Sequence, residues 1–135
     1  MTKAIFTAVL GLFFVGCALH TDNQNADIFA DSSWTLVSIS GKNLDMEKPP
    51  VLNFSDKKAA GFNGVNSFGA NYKLSNGKII FSEMISTRMA SLSAELSKLE
   101  ADFTGALLNA TSFELSSDIL TIHEANNTLI FKKTP

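Results

Sequence analysis

The hydrophobic period changes once along this chain, and that change constrains the fold more than any other feature. Across residues 92–109 the apolar positions are spaced by four, three, four and four residues, which places them on one face of an α-helix. In the stretches before and after it, short runs of apolar and polar residues alternate as they do in β-strands. We therefore predict one helix among strands, packed through one apolar face. The residues of this face are Leu92, Leu96, Leu99, Phe103 and Leu107.

Turn signals divide the strand-like regions into hairpins. Asn76-Gly77 is the strongest of them, because both residues accept the positive φ of a tight two-residue turn. Successive hairpins form antiparallel sheet, so we predict an α+β fold that is mostly β. It is a curled antiparallel sheet of about eight short strands with one α-helix packed on or into it. The predicted strands cover residues 33–40, 51–54, 59–62, 68–74, 79–81, 111–115, 119–124 and 128–132.

The N-terminus has the pattern of a lipoprotein export signal. Lys3 precedes an uncharged apolar run over residues 4–16, which as a helix is about 20 Å long and falls short of a bilayer core of about 30 Å. The run ends in Gly16-Cys17, which resembles the bacterial lipobox, and Cys17 is the one cysteine of the chain. The resemblance implies cleavage before Cys17 and attachment of lipid to its thiol.

Two other interpretations of this segment are open. An ordinary signal peptide cut after Ala18 would remove Cys17 and release a soluble exported protein, and a retained membrane anchor is the other. On the lipoprotein interpretation, residues 1–16 are the signal peptide, residues 17–31 a flexible tether and residues 32–135 the folded domain. In Gram-negative lipoproteins, aspartate directly after the lipid-bearing cysteine resembles a signal for retention in the inner membrane. This chain has Ala18 at that position, so for a Gram-negative source we expect the outer membrane.

The composition argues against several classes of function. Lys and Arg number 11 against 13 Asp and Glu, and a nucleic-acid binder would instead show a basic face. One Cys and two His leave little material for a metal site, so we expect neither metal nor cofactor. His123 lies on a predicted strand, and its neighbour Glu124 points to the opposite face. We therefore predict no catalytic residues and a protein that is not an enzyme.

From Trp34 onward the sequence resembles the META domain family, the HslJ-like family of bacterial envelope lipoproteins. Four blocks occur in the family's order: a Trp-x-Leu strand, a block rich in glycine and asparagine, a Thr-x-Met-Ala block and a helical Glu-x-x-Phe block. We interpret the residues that carry this resemblance as structural. They are Trp34, Gly61, Gly64, Asn66, Phe68, Tyr72, Thr87, Met89, Ala90, Glu100 and Phe103.

The family implies an exported, β-rich domain that is often lipid-anchored and is linked to stress or drug tolerance of the envelope. Val65 and Ser91 stand where the family usually has cysteines, which excludes a redox role for that pair here. We expect a non-enzymatic protein that contacts the membrane through lipid on Cys17 and binds an envelope protein or supports assembly. The alternative is a carrier that holds a small apolar ligand inside the curled sheet, which the 11 Phe would permit.

Local expectations concern the glycine-rich loop and the helix. We expect Gly61 and Gly64 to permit a bend that the Asn66 side chain caps. Glu100 should face away from the apolar stripe of the helix. Gly105, which costs about 1 kcal/mol inside a helix, should mark a close approach to a strand.

Overall fold

The structure is a computed structural model that describes residues 29–135. The helix α1 (Ala94–Leu108) separates six strands from three. The strands before it are β1 (Ser32–Ile39), β2 (Lys42–Asn43), β3 (Val51–Phe54), β4 (Lys58–Phe62), β5 (Ser67–Ser75) and β6 (Lys78–Ser86). The strands after it are β7 (Ser112–Ser116), β8 (Ile119–His123) and β9 (Thr128–Lys133).

The strands form one antiparallel sheet that closes on itself. Neighbours follow the order β2-β1-β3-β4-β5-β6-β7-β8-β9, and β1 also pairs with β9, where Leu36 lies opposite Phe131. With β2 set aside as an edge strand on β1, the other eight strands make a closed barrel. Short connections explain most of this order, because each one returns the chain beside the strand it has just left; the exceptions are β1–β3 and β6–β7. The predicted fold class, mostly β with one helix, is confirmed.

The pairing between β6 and β7 is the shortest in the barrel. In the described residues these strands share one bridge, Lys78 opposite Ser112, whereas β5 and β6 pair along nearly their whole length. The chain leaves β6 at this opening, forms α1 and returns as β7, so the helix lies against β6 and β9. The short β6–β7 pairing therefore leaves room for the helix.

Aromatic rings close the interior from two sides. Phe103 of α1 has its ring centroid 6.0 Å from Phe68 and 6.1 Å from Phe131. Phe29 packs elsewhere in the barrel, beside Phe54 at the end of β3. Its ring centroid lies 4.6 Å from that of Phe54 and 5.3 Å from that of Phe113. Tilted and edge-on pairs of this kind add to the gain from burial. Other side chains that are almost completely buried are Trp34, Leu36, Leu52, Ile79, Leu107, Leu120, Ile122 and Leu129.

Phe29 extends the domain beyond its predicted start at residue 32. The ring is completely buried. The Phe29 backbone carbonyl accepts a hydrogen bond from Ser32 Oγ at 2.6 Å. The Ser32 hydroxyl in turn accepts a hydrogen bond from Trp34 Nε1 at 2.9 Å. An isolated aromatic residue in a polar segment carries no period, so its burial could not be predicted. Cys17 and the predicted signal peptide lie outside the described residues.

The helix begins later than its period suggests. Ser93 is the N-cap, and its Oγ accepts a hydrogen bond from the Leu96 amide at 3.4 Å. Leu92 precedes this cap and is completely exposed, so its assignment to the packing face was wrong. An apolar residue there normally packs against the fourth helical residue, but that residue is Ser97, which offers no apolar surface. On the rest of the predicted face, Phe103 and Leu107 are buried, and Leu96 and Leu99 are half-buried.

The glycines act differently from one another. A Cβ added at Gly61 would lie 1.9 Å from the carbonyl oxygen of Val51, so glycine is required for the approach of β4 to β3. Gly64 has φ +103, and a Cβ there would meet Leu99 of α1 at 3.3 Å. At Gly105 an added Cβ would meet nothing within 4 Å, so the predicted close approach to a strand was wrong.

Candidate functional site

Asn66 joins three segments of the chain. It lies in the loop between β4 and β5 and is 2% exposed. Its Oδ1 accepts hydrogen bonds from the Met89 amide at 2.7 Å and from the Thr87 hydroxyl at 3.0 Å. Its Nδ2 donates to the Met89 carbonyl at 3.1 Å and to Glu100 Oε2 at 3.0 Å. A side-chain amide has two N–H donors and two acceptor lone pairs, so the whole bonding capacity of Asn66 is used.

Asn63 shapes the loop that presents Asn66. Asn63 Oδ1 accepts hydrogen bonds from the Val65 amide at 3.0 Å and the Asn66 amide at 2.7 Å. The Asn63 amide in turn donates to the Asn66 carbonyl at 2.9 Å. The prediction that Asn66 caps this bend was therefore wrong, because Asn63 makes the local bonds. That division leaves the Asn66 side chain free to bond with distant segments.

Glu100, which was predicted to face away from the apolar stripe of the helix, belongs to the same group of contacts. Its carboxylate is half-buried and accepts the bond from Asn66, and a bond to an ionised acceptor is stronger than one between neutral groups. The helical period shows which side of α1 is apolar, but not that its polar side meets the β4–β5 loop. We call Asn63, Asn66, Thr87, Met89 and Glu100 the Asn66 cluster.

The Asn66 cluster holds the connection between β6 and α1, and apolar side chains on and beside this connection are exposed. Both backbone groups of Met89 bond to Asn66, yet the Met89 side chain is 66% exposed. Ile85, near the end of β6, is 76% exposed, and Leu92 is completely exposed. Arg88 lies among them and is exposed as well. We call Ile85, Met89 and Leu92 the apolar tip.

The sequence-based predictions did not include the apolar tip. Ile85 lies beyond the predicted end of its strand, and Leu92 was assigned to the buried helix face. The signal that could have identified Leu92 is Ser93, because a serine at the N-cap leaves the preceding residue outside the helix. No comparable signal marks Ile85, because alternation along a strand does not tell which apolar residues find partners.

Two open grooves lie on the outside of the barrel. One, of about 330 Å³, adjoins the apolar tip and runs between the start of β5 and the end of β6. The other, of about 520 Å³, lies between the β1–β3–β4 face and the loop before β3. The first is lined by Ser67, Phe68, Gly69, Ile85, Ser86 and Thr87. The second is lined by Thr35, Glu47, Lys48, Pro49, Val51 and Phe62.

The remaining residues of the family pattern lie mostly in the barrel. Trp34, Phe68 and Phe103 are buried, and Ala90 is exposed on the connection to α1. The Tyr72 hydroxyl donates to the Ser55 carbonyl at 3.0 Å. Burial raises the pKa of the Tyr72 phenol, and the nearby negative charge of Asp56 raises it further.

His123 has a partner that was not predicted. Its Nε2 lies 3.0 Å from Glu114 Oε2 on β7. The register places Ser112 opposite His123, so Glu114 is the diagonal neighbour across the strand pair. Both side chains are open to solvent, where such a pair contributes little to stability.

Metal sites and membrane-spanning helices each require a specific pattern of side chains. Among residues 29–135, no group of three or more His, Cys, Asp or Glu side chains is arranged to hold a metal ion. Over the same residues, no helix combines the length and the hydropathy needed to cross a bilayer.

Known proteins resemble this chain over most of its length. The chain is 26% identical over 134 residues to "Heat shock protein HslJ" of Escherichia coli (strain K12). The aligned region covers 98% of this chain and 96% of that protein. A solved NMR structure with 27% identity has a TM-score of 0.68 and covers 79% of this chain and 92% of its own. An NMR structure of a protein from Burkholderia xenovorans is 19% identical, with a TM-score of 0.66 over 99% of this chain and 95% of its own, and it shows the fold alone.

The family assignment rests on a match to the whole folded domain. The family model described as "META domain" matches residues 27–135, which include the barrel, α1 and the Asn66 cluster. The match begins before Phe29, in agreement with the burial of that ring. This chain belongs to the META domain family.

Proposed function

We propose that this protein is a lipid-anchored envelope protein that acts by binding and catalyses no reaction. The observation that carries the proposal is the use of the polar groups in the Asn66 cluster. They bond to one another and to the backbone, and together they hold an exposed connection in place. Catalysis needs a base or nucleophile that is free to meet a substrate and is oriented by another group. The cluster instead has the arrangement of a structural support.

The family supports a role in envelope stress or drug tolerance. The related protein from Escherichia coli is named as a heat shock protein, and neither that name nor the description META domain is the name of an enzyme. A binding protein held near a membrane meets its neighbours at high effective concentration, so modest affinity suffices.

A carrier of small apolar ligands has less support. A ligand inside the barrel would need the space that Trp34, Phe103 and Phe131 fill, and all three are almost completely buried. Pockets for small molecules usually enclose most of the ligand surface. The two grooves described above are open to solvent, so they fit contact with a larger surface better.

Replacing Cys17 by Ser tests the proposed anchor. We expect lipid labelling to be lost, because serine has no thiol to take the lipid, and each acyl CH₂ withdrawn from the membrane forfeits about 0.8 kcal/mol. Incorporation of labelled palmitate and the mass of the mature protein measure this. Thr21→Ser, a conservative change in the predicted tether, is the control and should keep its lipid. A wild-type mature mass that begins at Leu19 and carries no lipid would contradict the proposal.

Removing the His123–Glu114 pair tests the absence of catalysis. We expect His123→Ala and Glu114→Gln to change the free energy of unfolding by only about 0.5 kcal/mol, because the pair is hydrated. Complementation of a deletion strain under heat and drug stress should be unaffected. A variant that keeps its stability but loses complementation would argue for a chemical role of this pair.

A further inference from the structure

We propose that the apolar tip is a membrane-docking surface, which lies on the same bilayer that holds the lipid anchor. This inference rests on the proposed function, because it takes the anchor at Cys17 as the reason that a bilayer is within reach. The partner is a lipid surface that contains anionic headgroups. The contact would set the orientation of the barrel relative to the membrane.

The fold itself keeps the tip exposed. The two bonds between the Met89 backbone and the buried Asn66 side chain fix the direction in which the Met89 side chain leaves the chain. Ile85 is held in the β5–β6 ladder opposite Gly69, and Leu92 directly precedes the capped start of α1. Single exposed apolar residues are common on soluble proteins. Here one such residue lies near the end of β6 and two on the connection that follows it, and a buried amide holds the backbone of one of these two, which is typical of an interaction surface.

Arg88 gives the segment that carries the apolar tip one positive charge. Arg88 is the one charged residue between Glu83 and Glu95, so a single cation lies among apolar side chains. Glu83 and Glu95 lie just outside residues 84–94, and this segment itself contains no carboxylate. An arginine can rest its stem on apolar surface and keep its head among phosphates. This combination is typical of segments that lie in the membrane interface.

The length of the chain lets the anchor and the tip reach one bilayer. Phe29 packs against Phe113, beside the Ser112–Lys78 bridge where β6 begins, whereas Ile85 lies near the far end of β6. The nine residues of β6 span about 30 Å. The chain from Cys17 to Phe29 can extend to about 40 Å. It is therefore long enough to pass along the barrel and let the tip meet the membrane.

The test uses the mature, acylated chain in vesicles of phosphatidylethanolamine and phosphatidylglycerol with brominated acyl chains, which quench tryptophan on contact. Leu92→Trp places a reporter on the tip, and Asp118→Trp places one on the exposed turn between β7 and β8. Trp34 is buried, so it adds the same background to both variants. We expect the tip reporter to be quenched at least about threefold more than the control, because an interfacial segment reaches the acyl boundary.

Further substitutions identify which side chains make the contact. In the Leu92→Trp background, the double change Ile85→Ser and Met89→Ser should reduce quenching to the level of the Asp118→Trp reporter. Arg88→Gln should reduce it only in vesicles that contain phosphatidylglycerol, because only those carry net negative charge. Thermal unfolding should be unchanged, since the replaced side chains are exposed.

Mass spectrometry of the same preparations measures acylation of Cys17 separately. Acylated protein whose two reporters are quenched equally, or not at all, overturns the docking surface and leaves the anchor standing. If Cys17 carries no lipid, the proposed anchor fails, and the unacylated chain is added to the same vesicles. Selective quenching at residue 92 then still supports the docking surface, and its absence overturns it.

Discussion

Replacing Phe103 by Ala is expected to lower the free energy of unfolding by about 3–5 kcal/mol. The ring is completely buried, between Phe68 and Phe131, where α1 covers the barrel interior. Truncation forfeits the transfer of the ring out of water and leaves a cavity. The closed, hydrogen-bonded barrel can collapse only partly into that cavity, which keeps the loss large. Denaturant unfolding of the purified protein measures the change.

Leu108→Ala is the matched control for this prediction. Leu108 lies at the end of the same helix but is 48% exposed, so its truncation should cost only about 0.5 kcal/mol. If Phe103→Ala cost as little as the control, the aromatic contact of α1 with the barrel would not stabilise the fold.

Asn66→Ala is expected to lower the free energy of unfolding by about 2–4 kcal/mol. The substitution removes four side-chain bonds and leaves the Met89 amide and the Glu100 carboxylate without this partner. Because those partners are only half-buried or lie on an exposed connection, water replaces part of the loss. The β6–α1 connection should also open more often, and an arginine-specific protease should then cut faster after Arg88, the one arginine of the chain.

Two further variants isolate the role of the Asn66 amide. Asn66→Asp keeps the shape but replaces both N–H donors with an acceptor that faces the Glu100 carboxylate, so it should destabilise about as much as Asn66→Ala. Asn71→Ala removes an asparagine that bonds to Lys58 and Glu83 near the surface, and it should cost less than about 1 kcal/mol. Unchanged stability together with unchanged cleavage after Arg88 in Asn66→Ala would show that the cluster does not hold the connection.

Elements whose evidence is local were predictable from the sequence. The Asn76-Gly77 turn has φ +48 and +76 at its two central residues, as a tight hairpin turn requires. The residues of β3 were predicted without error, and the helix was placed to within two residues at each end. These successes have one cause: turn chemistry and hydrophobic period depend on residues that are close together in the chain.

The sequence by itself therefore determined the helix, the mostly-β class and the family resemblance, together with most of the strands. It missed the two-residue strand β2 and ended β6 at residue 81 instead of residue 86. Tertiary structure alone decided the closure of β1 on β9, the burial of Phe29 and the reach of Asn66 to Glu100. Each of these is a contact between residues far apart in the chain, and periodicity holds no information about which distant surface a side chain will meet. Leu92 was predicted wrongly for a local reason, because the Ser93 cap leaves it outside the helix although it fits the helical period.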